Sequence, residues 1–284
     1  MEISTDTGLG SGVVYDAQGN IVTNAHVVGN ATQFKVTFFD GQTVPGTLVG
    51  AFVPDDLAVV KVNRGKGVTA ATFGDSSKLQ VGDIAMAIGN PLGLASSVTE
   101  GIVSFNGRTV GEGNGVVLPD TVQTSAAINP GNSGGALVNL NSEVIGIPTL
   151  AATDPQLGGG AAAGIGFAIP SNTVKQIAPQ LISQGKVTNS GRAALGISGA
   201  TATDPTGQPG GVIVTQVQPN GAAAKAGIQV GDVITQINGQ PTPTLSALQD
   251  VLAGLKPGDN ATLTVIGANG AQRSVKVTLG DLTG

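Results

Sequence analysis

Gly131-Asn132-Ser133-Gly134-Gly135 is the stretch on which the fold turns. A serine among glycines reads in two ways. It is a plain surface loop, or it is a nucleophile on a tight turn with backbone N–H groups drawn around it. The second reading needs a base, because a serine hydroxyl is a poor nucleophile at its free pKa, and the base needs a partner that orients it. Working outward toward the amino terminus, the chain supplies both. Its only histidine, His26, lies in Thr23-Asn24-Ala25-His26-Val27-Val28, and Asp55-Asp56-Leu57-Ala58-Val59-Val60 falls between it and the serine. His26 is the base, and either Asp55 or Asp56 is a candidate to fix its tautomer. Each piece alone is weak. Together, in the order His, Asp, Ser on three separate segments, they point to acyl transfer.

The glycines have their own chemistry. A tetrahedral intermediate needs N–H groups aimed at its oxyanion. Gly131 permits the cramped turn that gathers the amides of the run Gly131, Asn132 and Ser133, with those of Gly131 and Ser133 converging. Gly134 and Gly135 are expected to leave room for substrate backbone.

Composition fits a β-rich host for such a site. Of 284 residues 45 are glycine, and the apolar residues lean to Val, Ile and Ala, which favours short strands and tight turns. Strand-like runs crowd residues 10–170: 12–15, 20–23, 33–39, 57–62, 84–88, 97–105, 135–140, 143–147 and 165–169. Residues 57–62 form a near-continuous apolar run and read as a strand buried on both faces. An amphipathic helix follows, with Ser171 as N-cap, Val174, Ile177, Leu181 and Ile182 on one face, and Gly185 as its stop.

Residues 188–192 read as a polar linker. Beyond them the pattern changes to strands at 211–218, 232–237, 261–266 and 272–279, a helical turn at 222–226, and a helix at 245–252 striped by Leu245, Leu248 and Leu252. The expected organisation is mainly β, with domains at 1–187 and 193–284.

Several function classes fall away. Net charge is −5, charged residues are 11 % and aromatics 3 %, so there is neither a basic stripe nor a stacking platform for nucleic acid. One His and no Cys cannot build the usual zinc site, so no metal is expected. No Gly-x-x-x-x-Gly-Lys-Ser/Thr loop is present, so no nucleotide cofactor or ATP drive is expected. The polar start, Met1-Glu2-Ile3-Ser4-Thr5-Asp6, has no apolar signal region, and no apolar run reaches bilayer length. Neither a targeting segment nor a membrane contact is expected within this chain. A Gly-x-Ser-x-Gly esterase elbow is also missing.

At this point the chain resembles the HtrA (Deg) family of trypsin-like serine proteases with an appended PDZ domain. The resemblance rests on Gly8-Leu9-Gly10-Ser11-Gly12-Val13-Val14, on the His26 and Asp56 segments, and on Ile88-Gly89-Asn90-Pro91-Leu92-Gly93. It rests further on Ile128-Asn129-Pro130-Gly131-Asn132-Ser133-Gly134-Gly135 and on Gly166-Phe167-Ala168-Ile169-Pro170. It implies a double β-barrel protease followed by a small α+β PDZ domain. The family's functional aspartate directly precedes Leu-Ala, which selects Asp56 over Asp55. Three residues depart from the family's usual pattern: Ser125 for Asp, Ala136 for Pro and Pro148 for Asn. Pro148 is expected near the strand that pairs with substrate, where it cannot donate.

The resemblance also implies an ATP-independent endopeptidase of unfolded or misfolded proteins in extracytoplasmic quality control, active in stress and assembled as a trimer or higher multiple. The loop Leu157-Gly158-Gly159-Gly160-Ala161-Ala162-Ala163-Gly164-Ile165 offers no carboxylate for a basic substrate side chain. In the second domain, Leu195, Gly196 and Ile197 resemble a carboxylate-binding loop that adds a peptide C-terminus as a strand. Leu245, Leu248 and Leu252 line the groove or simply fill the core. The alternative function is a peptide-holding chaperone on the same scaffold.

Overall fold

The computed structural model describes the chain except residues 6–7, 64–67, 91–96, 112–116, 130, 155–159 and 204–206. The expected turn at Pro91-Leu92-Gly93, residue Pro130 and residues 157–159 lie outside the described part. Two compact units emerge, Met1–Val110 with Asp120–Val187, and Gly111–Pro119 with Thr188–Gly284.

In the first unit seven strands form one sheet: β1 Glu2–Ser4, β2 Leu9–Ser11, β3 Val13–Val14, β4 Asn20–Thr23, β5 Gln33–Thr37, β6 Thr43–Phe52 and β7 Leu57–Val62. Their order is β2-β1-β5-β6-β7-β4-β3. The two end strands are successive runs of one segment broken at Gly12, so the sheet curls back on itself. A Cβ at Gly12 would stand 2.6 Å from Ile21 Cγ2, which is why the bend carries no side chain. Strand β7 spans the six residues expected and is buried almost throughout. The short helix α1, Ala25–Val28, follows β4 and carries His26.

Six further strands close a second barrel: β8 Ile84–Gly89, β9 Ser97–Gly111, β10 Val117–Thr124, β11 Ala136–Val138, β12 Val144–Asp154 and β13 Gly160–Pro170, in the order β10-β13-β12-β11-β8-β9. Closure leaves no free sheet edge around the ring. Strand β12 is longer than its apolar run and contains Pro148. Ile147 and Pro148 pair with Ile169 and Ala168, and the register then slips between Pro148 and Leu150, leaving Thr149 as a bulge.

Helix α2, Ser171–Gln184, ends at Gly185 in left-handed backbone (φ 69°), as expected. Its start differs from expectation. Pro170 is the N-cap, and the buried Ser171 hydroxyl instead donates to the Gly74 carbonyl at 2.9 Å. Asn172 takes over the anchoring: its Nδ2 donates to Asp75 Oδ1 at 2.8 Å and its N–H to Ser76 Oγ at 3.1 Å.

The second unit holds β14 Ala193–Ala194, β15 Ile197–Thr203, β16 Pro209–Val217, α3 Ala222–Lys225, β17 Val233–Ile237, β18 Gln240–Pro241, α4 Leu245–Ala253, β19 Asn260–Ile266, β20 Gln272–Thr278 and β21 Gly280–Asp281. Its sheet runs β15-β16-β17-β19-β20, with β18 on β17, so β15 is an edge strand. Strand β14 pairs with β21. Residues 188–192 do not all hang free: Ser190 donates from N–H and Oγ to Asp281 Oδ1, at 2.7 and 2.9 Å.

Candidate active site

Asp56 is aimed by a bend. The 3-10 turn Val53–Asp55 ends on Asp56 in left-handed backbone (φ 48°, ψ 40°), a region open chiefly to Gly, Asn and Asp. The Asp56 carbonyl anchors the bend by accepting the Ala25 N–H and Asn24 Nδ2, both at 3.0 Å. Its carboxylate therefore meets α1. Oδ1 accepts the His26 backbone N–H at 2.9 Å, and Oδ2 lies 2.8 Å from His26 Nδ1. A carboxylate only accepts, so the ring proton sits on Nδ1 and the lone pair is left on Nε2. It is Asp56, not Asp55, that meets the imidazole.

Asp56 is 2 % exposed, and a buried carboxylate needs its lone pairs filled. The third donor is Thr149, whose Oγ1 lies 2.6 Å from Asp56 Oδ2. Thr149 was missed by sequence reasoning, which stopped at its neighbour Pro148. The bulge at this point turns the threonine inward, and its carbonyl accepts the Ser133 hydroxyl at 3.0 Å. Thr149 thus touches both the aspartate and the serine. His26, Asp56 and Ser133, from two barrels, share one hydrogen-bonded group with Thr149 at its centre.

The serine loop is shaped by glycine. Gly131 has φ 100°, and the Asn132 N–H closes a turn onto the Asn129 carbonyl at 2.9 Å. This corrects one expectation: the Asn132 amide is committed inside the turn and does not face an oxyanion. Among the described residues the amides of Gly131 and Ser133 meet no acceptor. Gly134 and Gly135 also have a purpose inside the protein. A Cβ at Gly134 would stand 2.2 Å from the Ser11 carbonyl oxygen, and one at Gly135 2.3 Å from that of Ile88. They admit the protein's own backbone. Pro148 likewise faces the loop, its carbonyl accepting the Gly134 N–H at 3.0 Å.

The loop is held from the first barrel. Ser11 N–H donates to the Ser133 carbonyl at 2.8 Å, and Ser11 Oγ donates to the Gly131 carbonyl at 2.7 Å. Chemically, the arrangement offers a hydroxyl, an imidazole oriented by a buried carboxylate, and two amides two residues apart that meet no acceptor among the described residues. That is the equipment for attack on a carbonyl.

In the second unit the sequence candidates separate. Leu195 and Leu248 are each 2 % exposed and belong to the core, whereas Ile197, Leu245 and Leu252 are half-buried around it. The Leu195 and Gly196 carbonyls are held by the amides of Ala223 and Gln218, at 2.7 and 2.9 Å, with Gly196 at φ 71°. Their own amides meet no acceptor among the described residues. Helix α4 starts beside β15, where Leu245 N–H donates to Thr201 Oγ1 at 3.0 Å.

Comparison with known proteins agrees with both halves. Residues 10–147 match the trypsin-like peptidase domain and residues 193–279 the PDZ domain. The chain is 44 % identical over 279 residues to periplasmic serine endoprotease DegP of Escherichia coli (strain K12), covering 95 % of this chain and 56 % of that one. It is 41 % identical over 301 residues to serine protease PepD of Mycobacterium tuberculosis, covering 98 % and 63 %. The chain thus spans little more than half the length of these curated relatives. Among solved structures, the HtrA-type protease AlgW with decapeptide is 35 % identical with a TM-score of 0.64, covering 96 % of this chain and 82 % of that one. A serine endoprotease from Yersinia pestis is 34 % identical with a TM-score of 0.63, covering 99 % and 93 %.

Proposed function

Because the chain belongs to the HtrA-type serine proteases, we propose that it is an ATP-independent serine endopeptidase that degrades unfolded or misfolded proteins outside the cytoplasm. The observation that carries this reading is the group in which Asp56 orients His26 and Thr149 joins Asp56 to Ser133. The Ser133 hydroxyl has one proton. It leaves the Thr149 carbonyl by rotation about Cα–Cβ and turns to His26 Nε2. As Ser133 Oγ bonds to the substrate carbonyl carbon, Nε2 takes the proton, and Asp56 stabilises the imidazolium through Nδ1–H. The carbonyl oxygen becomes an oxyanion and the amides of Gly131 and Ser133 donate to it. The C–N bond then breaks, His26 returns the proton to the leaving amine, and water hydrolyses the acyl-serine by the same steps in reverse.

The second unit serves as a clamp for peptide C-termini. The free Leu195 and Gly196 amides suit a terminal carboxylate, Ile197 opens the free edge of β15, and Leu245 and Leu252 line the apolar side. Held there, a substrate tail raises the local concentration of its chain near Ser133, to the mM range for a short linker.

Self-association as a trimer or higher multiple is part of the same proposal. An apolar stripe on β8 and β9 supports it: Ile84 faces Ile102 and Ile88 faces Val98, each 39–56 % exposed. Beside the stripe lies a cavity of about 560 Å³ lined by Ile88, Val98, Phe38 and Phe39, with Phe39 89 % exposed.

Unfolded casein tests the central claim. The parent chain degrades it, Ser133→Ala does not, and a serine-directed phosphonate labels Ser133 alone. Casein bound but uncut, with Ser133 unlabelled, would leave a holding scaffold instead.

A further inference from the structure

We infer that Ser11 is a positioning residue for the oxyanion cradle, an inference that rests on the protease reading above. Ser11 lies at the end of β2, in the first barrel, 120 residues before the peptide it holds. It is 0 % exposed, so every polar contact it makes is made inside the protein. Its hydroxyl does two things at once. It accepts the Asn90 N–H at 2.9 Å and donates to the Gly131 carbonyl at 2.7 Å. Its own N–H donates to the Ser133 carbonyl at 2.8 Å.

These contacts fall on alternate residues of the loop. The peptide between Gly131 and Asn132 is pinned at both ends, its oxygen by Ser11 and its N–H by the Asn129 carbonyl. The Ser133 carbonyl is pinned by Ser11 as well. Both carbonyls are drawn toward β2, and the Gly131 and Ser133 amides meet no acceptor among the described residues. The local turn onto Asn129 holds the N–H side of the Gly131–Asn132 peptide, but nothing local among the described residues holds its oxygen. Gly131 sits at φ 100°, and glycine crosses between positive and negative φ with little penalty. A latch from outside the loop is therefore needed, and it must accept and donate together. A hydroxyl does both, an alanine does neither, and a thiol does both weakly. Removing it leaves two buried groups, the Asn90 N–H and the Gly131 carbonyl, without their partner, and frees the Gly131 peptide to turn.

Thr23 supplies the control. Its Oγ1 donates to the Ser11 carbonyl at 2.7 Å, so Thr23→Val removes a buried hydrogen bond from the same residue without touching Gly131. The experiment compares Ser11→Ala, Ser11→Cys and Thr23→Val with the parent chain on a fluorogenic peptide and a matching peptidyl boronate, with thermal unfolding alongside. Ser11→Ala should lose roughly 10- to 100-fold in kcat with KM changed by less than about threefold, as loss of oxyanion stabilisation requires. Boronate affinity should fall by the same factor, since its adduct places an oxygen in the cradle. The shape of the pH–rate profile should not move, because His26 and Asp56 are untouched. Thr23→Val should lower Tm, though by less than Ser11→Ala because it leaves one buried group unpaired instead of two, and keep its kcat. Ser11→Cys, whose larger thiol donates and accepts only weakly, should also lose kcat and carries the test if Ser11→Ala does not fold.

A Ser11→Ala chain that keeps the parent's kcat and boronate affinity overturns the inference. So does a Thr23→Val chain that loses as much kcat. A parent chain that cleaves nothing takes the protease reading down with it, whereas a cleaving parent matched by Ser11→Ala removes this inference alone.

Discussion

Thr149 is the residue whose removal asks the most of the proposed mechanism at the smallest change in shape. Thr149→Val keeps the volume and deletes the donor 2.6 Å from Asp56 Oδ2. The buried carboxylate then lacks one of its three donors, and His26 is held less firmly. The expected result is a fall in kcat of about tenfold with little change in KM, measured by steady-state cleavage of a peptide. An unchanged kcat would mean that Nδ1 and the His26 N–H hold Asp56 without help. The three principal side chains were legible because their types and order are rare in combination. Thr149 and Ser11 were not, for a physical reason. Their contacts span 93 and 120 residues, and they act through hydroxyls and carbonyls that every sequence has in plenty. The choice of Asp56 over Asp55 needed family resemblance, since what decides it is a left-handed backbone turn that two adjacent aspartates do not announce.

Among the elements, the start of α2 carries the clearest electrostatic signature. Asp75 Oδ1 accepts from Ser77 Oγ at 2.6 Å, Asn172 Nδ2 at 2.8 Å and Ser77 N–H at 3.1 Å. The Ser77 hydroxyl first, then Asn172 and the Ser77 amide, hold the Asp75 carboxyl well below the usual carboxylate range. A folded-state pKa below the unfolded one stabilises the fold above the unfolded value and loses that effect as pH falls toward the folded one. Asp75→Ala should therefore lower Tm fully above roughly pH 4, and the gap from the parent should narrow as the pH drops below that. A gap independent of pH would assign Asp75 a steric role only. The strands divide along similar lines. The apolar run of β7 was read to its ends, because burial on both faces leaves an uninterrupted hydrophobic signature. Strands β6 and β10 were not seen. Pro45, Gly46 and Gly50 interrupt the first, and Pro119 and the left-handed Asp120 (φ 54°) the second, and such residues ordinarily speak against a strand.

For the molecule as a whole, two predictions separate core from function and monomer from assembly. Leu248 is buried in the second unit, so Leu248→Ala should cost about 2–5 kcal/mol there, read as a downward shift of one calorimetric transition. Leu252 is half-buried at the proposed groove, so Leu252→Ala should weaken binding of a C-terminal peptide and shift that transition less. Equal shifts with no loss of peptide affinity would make the leucine stripe core alone. If the β8–β9 stripe is covered in a trimer, the parent should sediment at three times its 27.8 kDa mass, and Val98→Asp should release monomers. A monomeric parent would contradict the proposed assembly. The pairing of β14 with β21, reinforced by Ser190 on Asp281, has a consequence for how such chains are put together. Within residues 188–284 the first and last strands lie side by side. A stretch whose first and last strands adjoin can be duplicated head to tail through a short splice.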